Sequence, residues 1–350
     1  MRKLLLFLFA LFAVMQAQAY DALIDGIFYN LNASTHEAEV SSTSYNSYSG
    51  AVIIPSTVTY SDVTYNVTTI GYPAFQSCRF LTSVTIPSSI TSIKMADDGY
   101  NGIFGGCTAL ETVIVDVDNP VFDSRDGCNA IIETANKKLI AGCKTTEIPN
   151  TVTSIGQHAF DYCTELTTIT IPSSVTSVEY AAFRECSGLT SVNITNIAAW
   201  CNIEFKSDNS NPLTYAHNLY LNGDKVTALV IPTGVTSIGN YAFNACTALT
   251  SIEIPSSLTM IGSSAFSGCS GMTAVYITDL ASWCNISFGS NPLNYAHTLY
   301  LNGEKVTTLV IPDGVEKISN YAFNRCSALT SVEIAGSVTT IGTSAFSQCI

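Results

Sequence analysis

The chain has 350 residues, of which 47% are hydrophobic and only 12% are charged. The hydrophobic share is enough for a large core, while the charged share is about half that of an ordinary globular protein. The formal net charge is -13, and no run of basic residues occurs. Binding to nucleic acid or to anionic membrane surfaces is therefore disfavoured, since both require clustered Lys and Arg.

The N-terminus has the order of an export signal. Arg2 and Lys3 precede an apolar run over residues 4–14, and Ala17-Gln18-Ala19 forms a small-residue cleavage site. The apolar run is too short to cross a bilayer, and no other stretch has the roughly 18 to 20 apolar residues that a spanning helix needs. We therefore predict a signal peptide over residues 1–19 and a protein that is secreted or displayed at the cell surface without membrane insertion.

A repeat of 23 residues dominates the rest of the chain and is clearest over residues 148–194. Phe160 and Cys163 return as Phe183 and Cys186, with a proline and a set of branched apolar residues in the same order around them. A fixed period of this length indicates a solenoid, in which each unit buries its apolar side chains only against its neighbours. We assign residues 51–350 to the solenoid and residues 20–50, which alternate short apolar runs with polar turns, to a β-rich N-terminal cap.

Each repeat divides into two segments. The Leu-Thr-Ser-Val-x-Ile segment alternates with period 2 and is rich in β-branched residues, which predicts a strand with its apolar side inward. The Ile-Gly-x-x-Ala-Phe-x-x-Cys segment is too short for a full helix and too polar for a strand, so we predict a tight helical turn. Its phenylalanine recurs eight times, and we predict that these side chains form a buried column: Phe75, Phe104, Phe160, Phe183, Phe243, Phe266, Phe323 and Phe346. Stacked strands would then form a rod-like monomer with one continuous parallel sheet.

Three segments leave the repeat pattern, and we call them the first, second and third islands: residues 116–147, 195–230 and 278–310. The first has two apolar runs joined by a short polar connection, which predicts a β-hairpin. The second and third resemble each other, and each ends in a hairpin signal built on Asn222-Gly223 or Asn302-Gly303. The fold class predicted is therefore a β-rich solenoid with inserted β-hairpin islands.

These residues resemble the leucine-rich repeats of the BspA-like family of bacterial secreted and surface proteins. The resemblance rests on the IPSSVTSIGxxAFxxC core and on the NPVFDSRDGCNAIIETANKKLIAGC and SNPLxYAHxLYLNG islands, and it covers nearly the whole mature chain. It implies a right-handed leucine-rich solenoid and, by analogy with characterised members, adhesion to host matrix proteins or to other cells. The chain stops at Ile350 in the middle of a repeat, so we also expect a truncated C-terminal end without an anchor.

Twelve cysteines in an exported protein would often indicate disulfides. Eight of them share one repeat position, where a small hydrophobe would stack, and this favours free buried thiols over disulfides between neighbouring turns; they are Cys78, Cys107, Cys163, Cys186, Cys246, Cys269, Cys326 and Cys349. Cys128 and Cys143 differ, because a two-residue turn at Ala135-Asn136 would place them opposite each other in the first island. A disulfide is an alternative there.

No constellation of residues indicates an enzyme. His217 and His297 occupy equivalent island positions, which favours packing or hydrogen bonding over catalysis, and no nucleophile elbow frames any serine. Four aspartates near residues 116–126 miss the spacing of a calcium loop. We therefore expect no catalytic residue, no cofactor and no metal.

The aromatic residues of the islands are the candidates for binding. Trp200 and Trp283 have apolar neighbours, so we predict that they form island cores rather than carbohydrate platforms. The Asn-Gly turns place Tyr220 across from Lys225 and Tyr300 across from Lys305, on the face opposite the leucines. These four residues are the partner-binding candidates, because interfaces favour exposed tyrosines.

The sequence thus favours a binding protein of the adhesin class, with a host or bacterial surface or matrix protein as its partner. The alternatives are a glycan-binding module and a passive structural spacer. An aromatic groove would favour the glycan module, and a uniform Ser/Thr face would favour the spacer.

Overall fold

The computed structural model describes residues 20–95 and 102–349, so the predicted signal peptide and Ile350 lie outside the described residues. The described chain consists mostly of short strands and turns, with α-helices of only four to six residues. Its first part contains nine strands: β1 (Ala22–Ile24), β2 (Ile27–Asn32), β3 (Glu37–Ser41), β4 (Ser49–Ile53), β5 (Thr57–Tyr60), β6 (Val63–Ile70), β7 (Phe80–Ile86), β8 (Ser92–Ile93) and β9 (Thr112–Val115).

The middle part contains the first and second islands and the two repeats between them. Two short 3-10 turns, Arg125–Gly127 and Asp208–Ser210, accompany its other elements, which are β10 (Phe122–Asp123), β11 (Ala130–Glu133), β12 (Lys138–Gly142), β13 (Ser154–Ile155), β14 (Thr168–Thr170), β15 (Ser177–Val178), β16 (Ser191–Ile194), α1 (Ile197–Cys201), β17 (Glu204–Phe205), α2 (Leu213–Ala216), β18 (Leu219–Leu221) and β19 (Asp224–Lys225).

The last part repeats this plan around the third island. Its elements are β20 (Ala228–Val230), β21 (Ser237–Ile238), β22 (Ser251–Ile254), β23 (Met260–Ile261), β24 (Ala274–Ile277), α3 (Leu280–Asn285), β25 (Ser287–Phe288), α4 (Leu293–Ala296), β26 (Leu299–Leu301), β27 (Glu304–Lys305), β28 (Thr308–Ile311), β29 (Lys317–Ile318), β30 (Ser331–Ile334) and β31 (Thr340–Ile341).

The strands stack in two parallel series, which we call ladder A and ladder B. Ladder A consists of the Leu-Thr-Ser-Val-x-Ile strands, paired as β4-β7-β9, β14-β16-β18, β20-β22-β24-β26 and β28-β30. Ladder B consists of the short strands before each turn, paired as β3-β6-β8, β12-β13-β15-β17, β21-β23-β25 and β29-β31. The prediction of one continuous sheet is therefore wrong on two counts, since two ladders exist and each is interrupted.

The island hairpins explain two of the breaks in ladder A. Strand β19 pairs antiparallel with β18, and β27 pairs antiparallel with β26, in the Tyr-Lys registers that the Asn-Gly turns predict. The hairpin strand occupies the edge at which the next parallel strand would pair, so β20 and β28 each begin a new sheet.

The segment predicted as a cap is β-rich. Strands β1, β2 and β3 form an antiparallel meander, and β3 pairs in parallel with β6 at the end of ladder B. Val40 and Ile70 are partners in this pairing and both are fully buried. The meander therefore covers apolar surface that the first repeat would otherwise expose.

The segments between ladder B and ladder A are not the helical turns that we predicted. They are successive tight turns, such as Ala159 N–H to Gly156 O and Cys163 N–H to Phe160 O. His158 and Tyr162 have φ of 55° and 52°, in the left-handed region, which interrupts a right-handed helix. Their backbone groups bind the next repeat instead, because the Tyr162 N–H donates to Arg184 O at 2.8 Å.

A column of phenylalanines fills the turns. Phe160 and Phe183 stack with ring centroids 4.9 Å apart and planes 5° apart, and Phe243 and Phe266 do the same at 5.5 Å and 8°. Seven of the eight predicted members are buried, which confirms the column as core; only Phe346, in the last described repeat, is partly exposed.

The cysteine ladder lies beside this column. All twelve cysteines are free thiols, and all are buried except Cys349, which is partly exposed. In alternate repeats the cysteine Sγ atom lies near the carbonyl oxygen of the phenylalanine in the preceding repeat. The distance is 3.0 Å from Cys186 to Phe160 O and 3.1 Å from Cys269 to Phe243 O. The thiol is therefore a small apolar group that can also donate a weak hydrogen bond to the preceding turn.

The second and third islands are longer repeats rather than insertions beside the solenoid, which corrects our interpretation. In the second, β17 continues ladder B through the pair Val178 and Phe205, and β18 continues ladder A through Val192 and Leu219. The third does the same with β25 and β26. The short helices lengthen these units, so the 23-residue spacing fails although the ladder positions are kept.

The first island contains the predicted hairpin, with β11 antiparallel to β12, and β12 also continues ladder B into β13. The hairpin has a register shift between Ile131 and Ile132, so Ala130 pairs with Gly142. This shift moves Cys128 out of the position opposite Cys143, and both thiols are free. The expected geometry for a disulfide is wrong because of this bulge.

Candidate binding surface

Ladder A presents alternate side chains to solvent along its whole length. Inward residues such as Ile252, Val275 and Leu299 are fully buried. Outward residues follow one another across the paired strands, so the register decides which of them are neighbours. The chemistry of this face differs from repeat to repeat.

The widest sheet of ladder A has a continuous outward row that we call the tyrosine row: Glu253, Tyr276, Tyr300 and Lys305. Each is the direct partner of the next across β22, β24, β26 and β27. The rings of Tyr276 and Tyr300 stack with centroids 4.8 Å apart and planes 25° apart, and Tyr276 is 36% exposed. The two stacked rings therefore form one aromatic cluster with a carboxylate on one side and an ammonium on the other.

The charged ends of the tyrosine row are available to a partner. Among the described residues, no ion pair involves Glu253 or Lys305, and both side chains are exposed. Charges that are not satisfied within the chain can pair with a partner without first breaking an internal contact.

The second island gives a different row. Here Thr170, Asn193, Tyr220 and Lys225 are successive partners. Asn193 takes the place that Tyr276 has in the tyrosine row, and its Nδ2 donates to Thr168 Oγ1 at 2.9 Å. The two hairpin faces are therefore not equivalent, because only the tyrosine of the third island stacks on a tyrosine of the repeat before it.

A shallow cavity of about 340 Å³ lies beside the second hairpin. Lys225, Asp224 and Val230 line it where ladder A breaks between β19 and β20. Nearer the N-terminus, Ile53 and Ile114 are 69% and 48% exposed on either side of Thr85. The outward face is therefore not a uniform surface of serine and threonine.

The tryptophans of the islands do not contribute to this face. Trp200 and Trp283 are each only 1% exposed, and their Nε1–H groups donate to Ala242 O at 2.8 Å and Ala322 O at 3.0 Å. The prediction that they form island cores is confirmed, and the alternative of carbohydrate platforms is wrong. His217 and His297 likewise place Nδ1 at 3.1 and 3.3 Å from backbone carbonyls of the following turns.

Two of the four aspartates considered for calcium accept other hydrogen bonds. Arg125 and Thr134 both donate to Asp123, and Asp116 Oδ1 accepts from the Asp118 N–H at 2.9 Å. Over residues 20–95 and 102–349, no group of three or more His, Cys, Asp or Glu side chains converges in a way that could hold a metal ion.

Sequence reasoning found Tyr300 and Lys305 but missed Tyr276 and Glu253. These two lie in ordinary repeats at the same outward position, just before the last isoleucine of the strand. The signal was available as a tyrosine at a site where the other ordinary repeats have threonine, asparagine, glutamate, isoleucine or valine. None of the helices in the described segments is long and apolar enough to cross a membrane.

Comparison with solved structures gives several proteins of similar type. A leucine-rich repeat protein from Bacteroides ovatus is 24% identical, with 95% of this chain and 93% of that one covered and a TM-score of 0.47. A leucine rich cell surface protein from Faecalibacterium prausnitzii is 23% identical, with 91% and 95% covered and a TM-score of 0.38. The pneumococcal vaccine antigen PcpA is 13% identical, with 80% and 98% covered and a TM-score of 0.33.

No curated protein matches the chain. The model of the BspA type leucine rich repeat region matches in six copies, over residues 24–120, 136–220, 213–295 and 295–350. These matches cover most of the sequence and include the second and third islands, in agreement with the islands acting as long repeats. The chain therefore belongs to the BspA-type leucine-rich repeat family.

Proposed function

We propose that this protein is a secreted or cell-surface binding protein of the adhesin kind, which contacts a host or bacterial surface or matrix protein through the outward face of ladder A. The observation that carries the proposal is the stacked pair Tyr276 and Tyr300 between Glu253 and Lys305. Tyrosines dominate protein interfaces because they bury a large area with few rotatable bonds.

The proposal includes the organisation expected from the sequence. Residues 1–19 direct export, residues 20–50 cap the solenoid, and residues 51–350 coil in a right-handed sense as a monomer. A passive spacer is a poorer explanation, since a spacer does not need exposed aromatic and apolar side chains on one face. The net charge of -13 disfavours nucleic acid as a partner.

Both island hairpins belong to the proposed contact surface, with different strengths. Tyr300 and Lys305 contact the partner together with Tyr276, whereas Tyr220 and Lys225 form a weaker contact that has one aromatic ring. Two contacts on one rigid solenoid can give avidity well above that of either alone when the partner reaches both.

The test is a binding screen of the mature chain against matrix proteins and neutral glycans, followed by variants against whichever protein binds. We expect the double variant Tyr276→Ala, Tyr300→Ala to lose at least about tenfold in affinity, as for truncation of an interface hot spot. Tyr220→Ala should lose less. Tyr321→Ala, an exposed tyrosine on a turn, is the matched control and should bind like the parent.

Two results would overturn the proposal. One is parental affinity in a folded double variant, which would show that the contact lies outside the tyrosine row. The other is binding to neutral glycans alone, which would favour the glycan-binding module.

A further inference from the structure

A second surface, distant in sequence from the tyrosine row, has the chemistry of a ligand site. Three consecutive turns have different residues between the core phenylalanine and cysteine: Gln76-Ser77, Gly105-Gly106 and Asp161-Tyr162. The middle turn has no side chains at these two positions. The result is a groove of about 580 Å³, which we call the turn groove.

The floor of the turn groove is closed by backbone hydrogen bonds. The Ser77 N–H donates to Gly105 O at 2.7 Å, and the Gly106 N–H lies 3.4 Å from Asp161 O. Gly106 has φ of +77°, and a Cβ there would lie 3.3 Å from Ser77 Cα. A side chain at this position would be strained and would also fill the groove.

Tyr45 and Arg79 form one wall, and both are exposed. The loop that carries Tyr45 is fixed to the first turn through Asn46, whose N–H donates to Gln76 O at 3.2 Å. Asn46 Oδ1 accepts in return from the Arg79 N–H at 3.0 Å. The backbone segments that carry Tyr45 and Arg79 are therefore joined by hydrogen bonds.

Tyr162 forms the other wall and is 43% exposed. The guanidinium of Arg184 lies over its ring, 5.2 Å from the centroid. Arg184 is itself fixed by Asp161 through hydrogen bonds of 2.8 Å. The Tyr162 ring thus has a rigid support, which reduces the entropy lost when a ligand orders it.

Of the described residues that line the turn groove, Arg79 is the only charged one. Among the described residues it has no ion pair. An unpaired guanidinium in a chain of net charge -13 favours an anionic group, and its planar fork matches a carboxylate.

The other lining groups indicate the chemical class of the ligand that carries the carboxylate. Ser77, Thr108 and Thr164 add hydroxyls, and the tyrosines add flat faces that suit the C–H groups of a sugar ring. A peptide would gain little here, because the backbone amides of the floor already bind neighbouring turns. We propose that the turn groove binds a carboxylated saccharide, with Arg79 donating to the carboxylate and Tyr45 and Tyr162 packing against the sugar rings.

The experiment is a titration of the mature chain with two acidic probes, 3′-sialyllactose and trigalacturonic acid, by calorimetry or saturation-transfer NMR. Lactose and galactotriose are the neutral counterparts. We expect at least one acidic probe to bind at least tenfold more tightly than its neutral counterpart, and its affinity should fall with added salt. Arg79→Ala should lower the affinity for the acidic probe at least tenfold. Tyr162→Phe should bind the probe like the parent, whereas Tyr162→Ala should bind it more weakly.

Lys317→Ala, which removes an exposed cation from a distant repeat, should bind like the parent. Circular dichroism and denaturant midpoints identify any variant that fails to fold, and Tyr45→Ala offers a second test on a loop outside the core. Three results would overturn the proposal: no binding of either acidic probe, full binding by Arg79→Ala, or equal binding of an aspartate-rich hexapeptide. The double variant Tyr276→Ala, Tyr300→Ala should bind the saccharide like the parent. Saccharide binding therefore tests the turn groove independently of protein binding at the tyrosine row.

Discussion

Arg184 holds Asp161 with two parallel hydrogen bonds across adjacent turns, Nε to Oδ1 and Nη2 to Oδ2, each 2.8 Å long. The Asp161 side chain is fully buried, and His158 Nδ1 lies 3.6 Å from its Oδ2 atom. A buried carboxylate without a partner is costly. Removing Arg184 should therefore destabilise the protein by more than the ion pair itself contributes to stability.

We predict that Arg184→Ala lowers the free energy of unfolding by about 3 to 5 kcal/mol, because it leaves Asp161 buried and uncompensated. Urea denaturation measures the change. Arg125→Ala is the matched control, since Arg125 also pairs with an aspartate but both side chains are about a quarter exposed. It should cost only about 1 kcal/mol or less. Equal losses in the two variants would contradict this account.

The phenylalanine column gives the second prediction. Phe243 is fully buried and stacks on Phe266, so Phe243→Ala should lower the free energy of unfolding by about 3 to 5 kcal/mol. Phe346→Ala should cost less, because Phe346 is only partly buried. A loss under about 1 kcal/mol for Phe243→Ala would show that the column does not hold the turns together.

The sequence predicted this column, the cap strands and the hairpin registers because each depends on local spacing. Tyr220 and Lys225, for example, are opposite one another as soon as Asn222-Gly223 forms the turn. The 23-residue period predicted the solenoid as a whole, and the family resemblance added its leucine-rich class.

The parts that sequence reasoning missed depend on contacts between repeats. The position of β17 in ladder B follows from the packing of Phe205 against Trp200, whose ring centroids are 5.2 Å apart, and not from any repeat spacing. Tyr276 becomes a candidate only when the register brings it beside Tyr300. The bulge between Ile131 and Ile132 is not visible in the spacing, so Cys128 and Cys143 do not lie opposite each other as a two-residue turn alone would place them.

Gly142 gives the third prediction. A Cβ at this position in β12 would lie 2.3 Å from Cε1 of Phe160, so the ring occupies the space that any larger residue would need. Gly142→Ala should therefore destabilise the protein by about 1 to 3 kcal/mol through overpacking. Gly336→Ala is the control, because no atom lies within 4 Å of its added Cβ. If thermal melts show the same midpoint for both variants, Phe160 moves aside at no cost.

The buried thiols give the fourth prediction. Burial raises the pKa of Cys201 to about 12 and that of Cys246 to about 11. At pH 8 only about one in a thousand of the Cys246 groups would then be ionised, and the thiolate is the reactive form. We expect a thiol reagent to label most of the twelve cysteines only after denaturation, with Cys349 as the first to react in the native chain. Rapid labelling of eight or more in the native protein would contradict burial.

The same pKa shifts predict a loss of stability at alkaline pH. In the unfolded chain a cysteine ionises near its ordinary pKa of 9.0, whereas folded Cys246 retains its proton until about pH 11. The folded state therefore binds more protons between these values, and the stabilisation present below pH 9 is lost as pH rises toward 11. Each such thiol changes the free energy of unfolding by up to about 1.4 kcal/mol per pH unit.

Because tyrosines also titrate in this range, the measurement compares the parent with Cys246→Ala by urea denaturation from pH 8.5 to 10.5. The variant should lose stability less steeply with pH than the parent, and parallel slopes would show that the Cys246 thiol ionises in the folded protein as readily as in the unfolded chain.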